Sequence, residues 1–164
     1  MKLALVVVAA LALLGTYVWM RSNEAREPFG QSDETASWQT FKEPAQGISF
    51  KYPERLPTTY IATHEWPPVV QANIAQFLCA VPLKEVNGRQ YCIGSETEGA
   101  AGSAYTTYTY NTMKDDKMVS FRFVLRYSQC VNYGEPEKIA CENERQAFNL
   151  DSLVDRMFQT IVIQ

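Results

Sequence analysis

The chain is 164 residues long, enough for one domain and an appendage, with a formal net charge of −3. Its 46% apolar and 12% aromatic content excludes a disordered chain. No Lys/Arg run is present, which excludes the basic face of a nucleic-acid binder, and the many Tyr and Thr residues favour strands.

From Leu3 to Met20 the chain carries no charge. As a helix this run would be about 27 Å long, close to the hydrocarbon thickness of a bilayer. Lys2 precedes it and Arg21 comes after it, and Tyr17 and Trp19 sit near its far end, where amphipathic rings favour the headgroup level. A cleaved secretory signal is the alternative. Against it, the run is long for such a signal and ends in bulky Tyr17, Val18, Trp19 and Met20, while the small-x-small stretch Ala10-Leu11-Ala12 comes too early. No Cys comes just after the run, which excludes lipoprotein processing. Both readings export the remainder of the chain. Flanking charge is nearly balanced, Lys2 and the α-amino group against Arg21 and Arg26, so orientation must come from another signal. Residues 1–21 thus read as a transmembrane anchor or signal segment and residues 22–37 as a polar linker. Residues 38–164 read as an extracytoplasmic domain large enough to bury its own core.

Within the domain, Trp38 to Phe41 reads as a first strand. Gly47 to Tyr52 alternates, with Ile48, Phe50 and Tyr52 on one face, and Pro53 stops it. Thr58 to Glu65 is rich in Thr and β-branched residues and reads as a third strand. Pro67 to Val81 is ambiguous: Val70, Ile74, Phe77, Leu78 and Val81 fall at helical spacing, yet Val69 to Gln71 fits a strand. Asn87-Gly88 is a strong turn signal leading into a strand from Gln90 to Gly94. The clearest element is a hairpin from Ala104 to Tyr127 turning at Lys114 to Lys117. Its register sets Met113 against Met118, Tyr110 against Phe121, Tyr108 against Phe123 and Thr106 against Leu125. One face then carries Tyr108, Tyr110, Val119, Phe121, Phe123 and Leu125 and is core. The other carries Thr107, Thr109, Asn111, Ser120, Arg122 and Arg126 and is wet. A helix runs from Pro136 to about Phe148. A second begins after Asn149, with Leu150, Leu153, Val154, Met157 and Phe158 as its apolar stripe. Thr160 to Ile163 reads as a last strand.

The four cysteines, Cys79, Cys92, Cys130 and Cys141, form no C-x-x-C pair, and the single His64 is remote in sequence, so zinc is disfavoured. An even count behind an export signal reads as disulfides, which also directs the domain outward. Of three possible pairings, Cys79–Cys92 and Cys130–Cys141 are favoured because each closes a short loop. Each would contribute about 2 to 3 kcal/mol in the chain-entropy model.

Gly47-Ile-Ser-Phe-Lys-Tyr-Pro53 near the domain start, with Asp151-Ser-Leu-Val-Asp-Arg-Met-Phe158 and a terminal strand at its end, resembles the PsbP-like domains of small membrane-anchored bacterial proteins. A closer similarity is to a group of proteins from uncultivated small-genome bacteria. It is carried by Tyr91-Cys92, Glu98-Gly-Ala-Ala-Gly-Ser103, Gln129-Cys130, Asn132-Tyr-Gly-Glu-Pro136 and Cys141-Glu-Asn-Glu-Arg145. The resemblance implies an α+β fold, an antiparallel sheet packed against helices in an α/β sandwich, and favours strand over helix at Val69 to Ala72. It implies no activity, since nothing in the chain suggests the photosynthetic role of PsbP itself, and fold analogy is a weak warrant for function.

Candidate chemistry is sparse. His64-Glu65 as a base and partner, or as metal ligands, is weakened because neighbours on a strand point to opposite faces. Glu96 and Glu98 would share a face and form a carboxylate pair. Gly99-Ala-Ala-Gly-Ser103 lacks the Lys and spacing of a phosphate loop and reads better as a turn or bulge. Arg122 and Arg126, near Tyr105 and Thr109, form a candidate ligand-facing strip with a cation–π contact. No cofactor or metal is expected. The leading expectation is a non-enzymatic binding or scaffold domain, single-pass in the cytoplasmic membrane with its C-terminal domain outside, engaging an envelope protein or ligand through Arg122, Arg126, Tyr105, Glu96 and Glu98. An envelope hydrolase using Glu96, Glu98 or His64 is the alternative. A pilin-like subunit is a third reading, although the leader Gly before the span and a Glu inside it are both missing.

Overall fold

The structure, a computed structural model, describes residues 35–72, 79 and 81–164. The N-terminal apolar run and most of the linker lie outside the described residues, as does the stretch 73–78 of the ambiguous segment. Among the described residues no helix is long and apolar enough to cross a membrane. In chain order the elements are β1 (Gln39–Glu43), β2 (Ile48–Tyr52), β3 (Ile61–Ala72), β4 (Lys84–Val86), β5 (Arg89–Ala100), β6 (Ser103–Lys114), β7 (Lys117–Ser128), a 3-10 turn (Cys130–Asn132), α1 (Glu137–Ala147), α2 (Leu150–Gln159) and β8 (Val162–Ile163). They make an α+β domain of two antiparallel sheets and two helices. One sheet is ordered β3-β7-β6-β5-β4 and the other β1-β2-β8.

β6 and β7 pair in the register that alternation predicts, with Tyr110 opposite Phe121 and Tyr108 opposite Phe123. Their turn residues Asp115 and Asp116 sit at φ 50° and 59°. Two consecutive left-handed residues make the type I′ turn, whose twist matches that of the strands it joins. Asn87-Gly88 and Ala101-Gly102 also have positive φ and close β4–β5 and β5–β6 in the same way. The run from Lys84 to Ser128 is therefore a four-stranded meander built on three tight turns, and β5 extends well past the expected Gly94.

β3 adds to the other side of β7 and reaches Ala72, beyond the expected end at Glu65. Two register irregularities, between Thr63 and Glu65 and between Glu65 and Val69, interrupt its alternation. Pro67 and Pro68 fall within it, which the ladder tolerates because β3 is an edge strand. The helical spacing read at Val70 does not produce a helix there.

The inner face of the large sheet is the core. Val119, Phe121, Phe123 and Leu125 are fully buried, and so are Val154, Met157 and Phe158 of α2. The Phe121 ring stacks on Phe158 at 4.2 Å and meets Phe50 of β2 at 4.7 Å, so α2 and the small sheet cover the same face. α2 is capped by Asn149, whose side chain accepts from the Ser152 N–H at 3.0 Å. The opposite face, expected to be wet, is so only in part: Asn111, Ser120 and Val124 lie on it and are buried.

The cysteines pair as Cys79–Cys92 and Cys130–Cys141. The second bridge ties the 3-10 turn to α1, and Glu144 adds another tie by accepting the Thr59 and Tyr60 N–H groups at 2.7 Å each. Both hold α1 by covalent or charge-assisted contacts rather than by apolar area, of which α1 buries little, and the Glu144 contacts reach a segment far away in sequence.

Phe121 touches both covering layers, so Phe121→Ala should cost about 3 to 5 kcal/mol. Urea denaturation measures it; a loss below about 1 kcal/mol would contradict this packing.

Candidate functional site

Two surfaces collect polar side chains. The first is the outer face of the large sheet. Register places Glu98 opposite Tyr105 and Tyr105 opposite Arg126, and sets Glu96 opposite Thr107. The expected residues Arg122, Arg126, Tyr105, Glu96 and Glu98 thus share one face, as columns of acid on β5, neutral hydroxyls on β6 and base on β7. His64 joins them, its ring 4.7 Å from that of Tyr105. Glu65 joins them too, 3.8 Å from Arg122.

That corrects the expectation that His64 and Glu65 point to opposite faces. The irregularity between Thr63 and Glu65 inserts one residue and breaks strict alternation, so both side chains reach the outer face. The expected aromatic partner of the arginines is also different: Tyr105 packs against His64, and the cation–π contacts among the described residues are Arg145 over Tyr127 and Arg156 over Trp38. The loop Gly99 to Ser103 is a two-residue hairpin turn, not an anion cradle, and its Gly102 carbonyl accepts from Gln129 N–H at 3.0 Å. His64, Glu96 and Glu98 are exposed and line neither of the two clefts at the helix junction. Among the described residues no three His, Cys, Asp or Glu side chains are grouped to hold a metal ion.

The second surface lies on the core side, where the sheet meets the junction of α1 and α2. A cleft of about 670 Å³ is bounded by Tyr108, Tyr110 and Tyr127 from the sheet, by Lys84 of β4, and by Arg145 and Asp151 from the helices. The Tyr108 and Tyr127 hydroxyls bond to each other at 2.8 Å. Tyr110 donates to Asp151 at 2.6 Å, and Lys84 meets the other Asp151 oxygen at 2.5 Å. Arg145 donates to the Ser128 carbonyl at 2.7 Å. A smaller cleft of about 310 Å³ lies on the other side of the same junction, between Pro57, Glu144 and Arg156.

Beside the larger cleft, Asp155 is buried at 1% exposure. It accepts from Tyr91 at 2.6 Å, Asn87 at 3.0 Å and Gln159 at 2.8 Å, with Arg89 at 3.4 Å. Burial of a carboxylate requires that satisfaction. The phenols that meet these acids stay neutral far above the ordinary tyrosine range. For Tyr91 the cause is burial first and then the Asp155 hydrogen bond; for Tyr110 it is burial first and then Asp151. Tyr127 shifts the same way through burial and its bond to Tyr108.

Sequence reasoning placed Tyr108 and Tyr110 in the core by alternation and did not reach Tyr127, Arg145, Lys84, Asp151 or Asp155 as a group. The available signal was chemical: buried tyrosines at every second position need partners for their hydroxyls. No protein-family model matches the sequence, and no curated protein is similar to it at a significant level.

The raised phenols make stability sensitive to alkali. An unfolded tyrosine loses its proton near pH 10, whereas folded Tyr91 and Tyr110 keep theirs. The unfolded state therefore binds fewer protons above that pH, and stability present below about pH 10 is lost as pH rises, by about 1.4 kcal/mol per pH unit for each such residue. Urea midpoints between about pH 9 and about pH 11 should show this slope, and Tyr91→Phe should remove one proton from it. A flat profile would contradict the buried network.

Proposed function

We propose that this protein is a membrane-tethered extracytoplasmic binding or scaffold domain of PsbP-like architecture, and that it engages an envelope protein through the outer face of its large sheet. The observation that carries this reading is the open array of alternating charge columns on that face. Arg122 and Glu65 have side chains more than half exposed, at 57% and 58%, and neither α1 nor α2 packs on this side. Gly94 to Ala100 of β5 is exposed throughout, and among the described residues it has a strand neighbour on one side only. An extended segment of a partner can add to such an edge through its main chain, with Glu96 and Glu98 selecting basic side chains. Mixed charge of this kind sets orientation and partner choice more than raw affinity.

Compartment and tether support the reading independently. Two disulfides favour an oxidising environment, and the uncharged run from Leu3 to Met20 has the length of a single membrane pass. The layered arrangement, a sheet covered by helices with a short terminal strand, agrees with the resemblance carried by Gly47 to Pro53 and Asp151 to Phe158.

Exposed substitutions away from the core change stability by roughly 0.5 kcal/mol or less. Arg122→Glu combined with Arg126→Glu should therefore leave the urea midpoint in place. Crosslinking and affinity capture of the full chain from native membranes should recover an envelope protein with wild type, recover much less with this pair, and weaken in high salt. Equal recovery by wild type and variant would overturn the proposal.

A further inference from the structure

We infer that the cleft between the sheet and the α1–α2 junction is a binding site for one neutral, hydroxyl-rich ring, a monosaccharide unit. Two of its three charged lining groups offset each other, and the third is oriented by the backbone and an aromatic ring. Lys84 and Asp151 neutralise each other, and the second Asp151 oxygen holds Tyr110. The Arg145 guanidinium is taken by the Ser128 carbonyl and lies over the Tyr127 ring at 5.5 Å. Lys84 and Asp151 thus cancel, while Arg145, with one N–H on Ser128 and its plane over Tyr127, has no acidic partner among the described residues.

The other polar groups that face a ligand are uncharged. In the Tyr108–Tyr127 pair only one hydroxyl proton lies between the two oxygens, so the other is left to donate outward. Both phenolic oxygens keep lone pairs that accept. Gln146 and Asn149 add amides at the rim. Tyr108 and Tyr127 are only partly buried and offer ring faces, flanked by Ile93, Phe148 and Leu150. Closely spaced donors and acceptors beside aromatic faces match the equatorial hydroxyls and apolar C–H face of a pyranose. A volume of about 670 Å³ admits one such ring with substituents. Among the described residues no His or Cys lines the cleft, so the site binds and carries no nucleophile–base pair. The site is separate from the outer face of the sheet and does not rest on the partner proposed there.

The test is a titration of the isotope-labelled full chain in detergent with four probes: N-acetylglucosamine, glucose, benzoate and inorganic phosphate. Amides of Tyr108, Tyr127 and residues 145–151 should shift saturably with at least one sugar and not with benzoate or phosphate. Tyr108→Phe with Tyr127→Phe removes both hydroxyls of a mutual bond, a change that folding tolerates well. It should weaken sugar binding at least tenfold, roughly the 1.4 kcal/mol of one lost hydrogen bond. Should the pair fail to fold, Tyr108→Phe alone should still weaken it measurably. Arg122→Glu with Arg126→Glu should leave sugar binding unchanged, which separates this site from the outer face. No saturable shift with either sugar, binding of the anions instead, or undiminished sugar binding by the phenylalanine variants would each overturn the inference.

Discussion

A shift of one residue between β6 and β7 would reverse one strand against the other, turning either Tyr108 and Tyr110 or Phe121 and Phe123 out to water and bringing Thr107 and Thr109, or Arg122 and Val124, in against α2. That single constraint organises the domain. With the register held, Phe121 meets both Phe158 and Phe50, so one side chain joins the large sheet to a helix and to the small sheet. The same register lines up the charge columns of the outer face and aims the three tyrosine hydroxyls into the cleft. Both candidate surfaces are two sides of one pairing.

The polar contacts inside the domain depend on where tyrosine is used in place of phenylalanine. Tyr91 and Tyr110 fill core volume as Phe would, but each hydroxyl must find an acceptor, and α2 presents Asp155 and Asp151 on the face that meets them. Apolar contact alone permits a helix to slide or rotate on a sheet by a residue with modest loss. Two carboxylates that must each meet a phenol remove that freedom, since a displaced helix would leave Asp155 buried and unpaired. The specificity of docking for α2 therefore rests on these pairs, while most of its favourable energy comes from Leu153, Val154, Met157 and Phe158.

Legibility in the sequence tracked how local the determining physics is. The β6–β7 register, the Asn87-Gly88 turn, both helices and the two disulfides came from spacing within short windows, because alternation, left-handed turn residues and short loops act over few residues. β3 reads short because Trp66, Pro67, Pro68 and the inserted residue near His64 break the period on which a strand is recognised; its edge position and the irregularity between Glu65 and Val69 make them tolerable. The same irregularity hid the approach of His64 and Glu65 to one face. The outer-face residues Glu96, Glu98, Tyr105, Arg122 and Arg126 could be grouped because they belong to neighbouring hairpin strands. The cleft could not, since Lys84, Tyr127, Arg145 and Asp151 come from four elements and meet only after the whole chain has packed.

The strand order also separates the chain into contacts that are cheap to search for and contacts that are not. β4, β5 and β6 each pair with the next strand across a two-residue turn, whereas Ile61 must find Tyr127 and Ile48 must find Ile163. Closing such long loops carries an entropic cost that is recovered only on an existing template. The meander is that template, so we expect the folding nucleus to lie between Lys84 and Ser128, with β3 and β8 annealing afterwards. Pulse-labelled amide exchange reads that order directly, and early protection at Val162 and Ile163 would contradict it. On this view the aromatic hairpin is both the centre of the finished core and the first part of the chain to acquire its native neighbours.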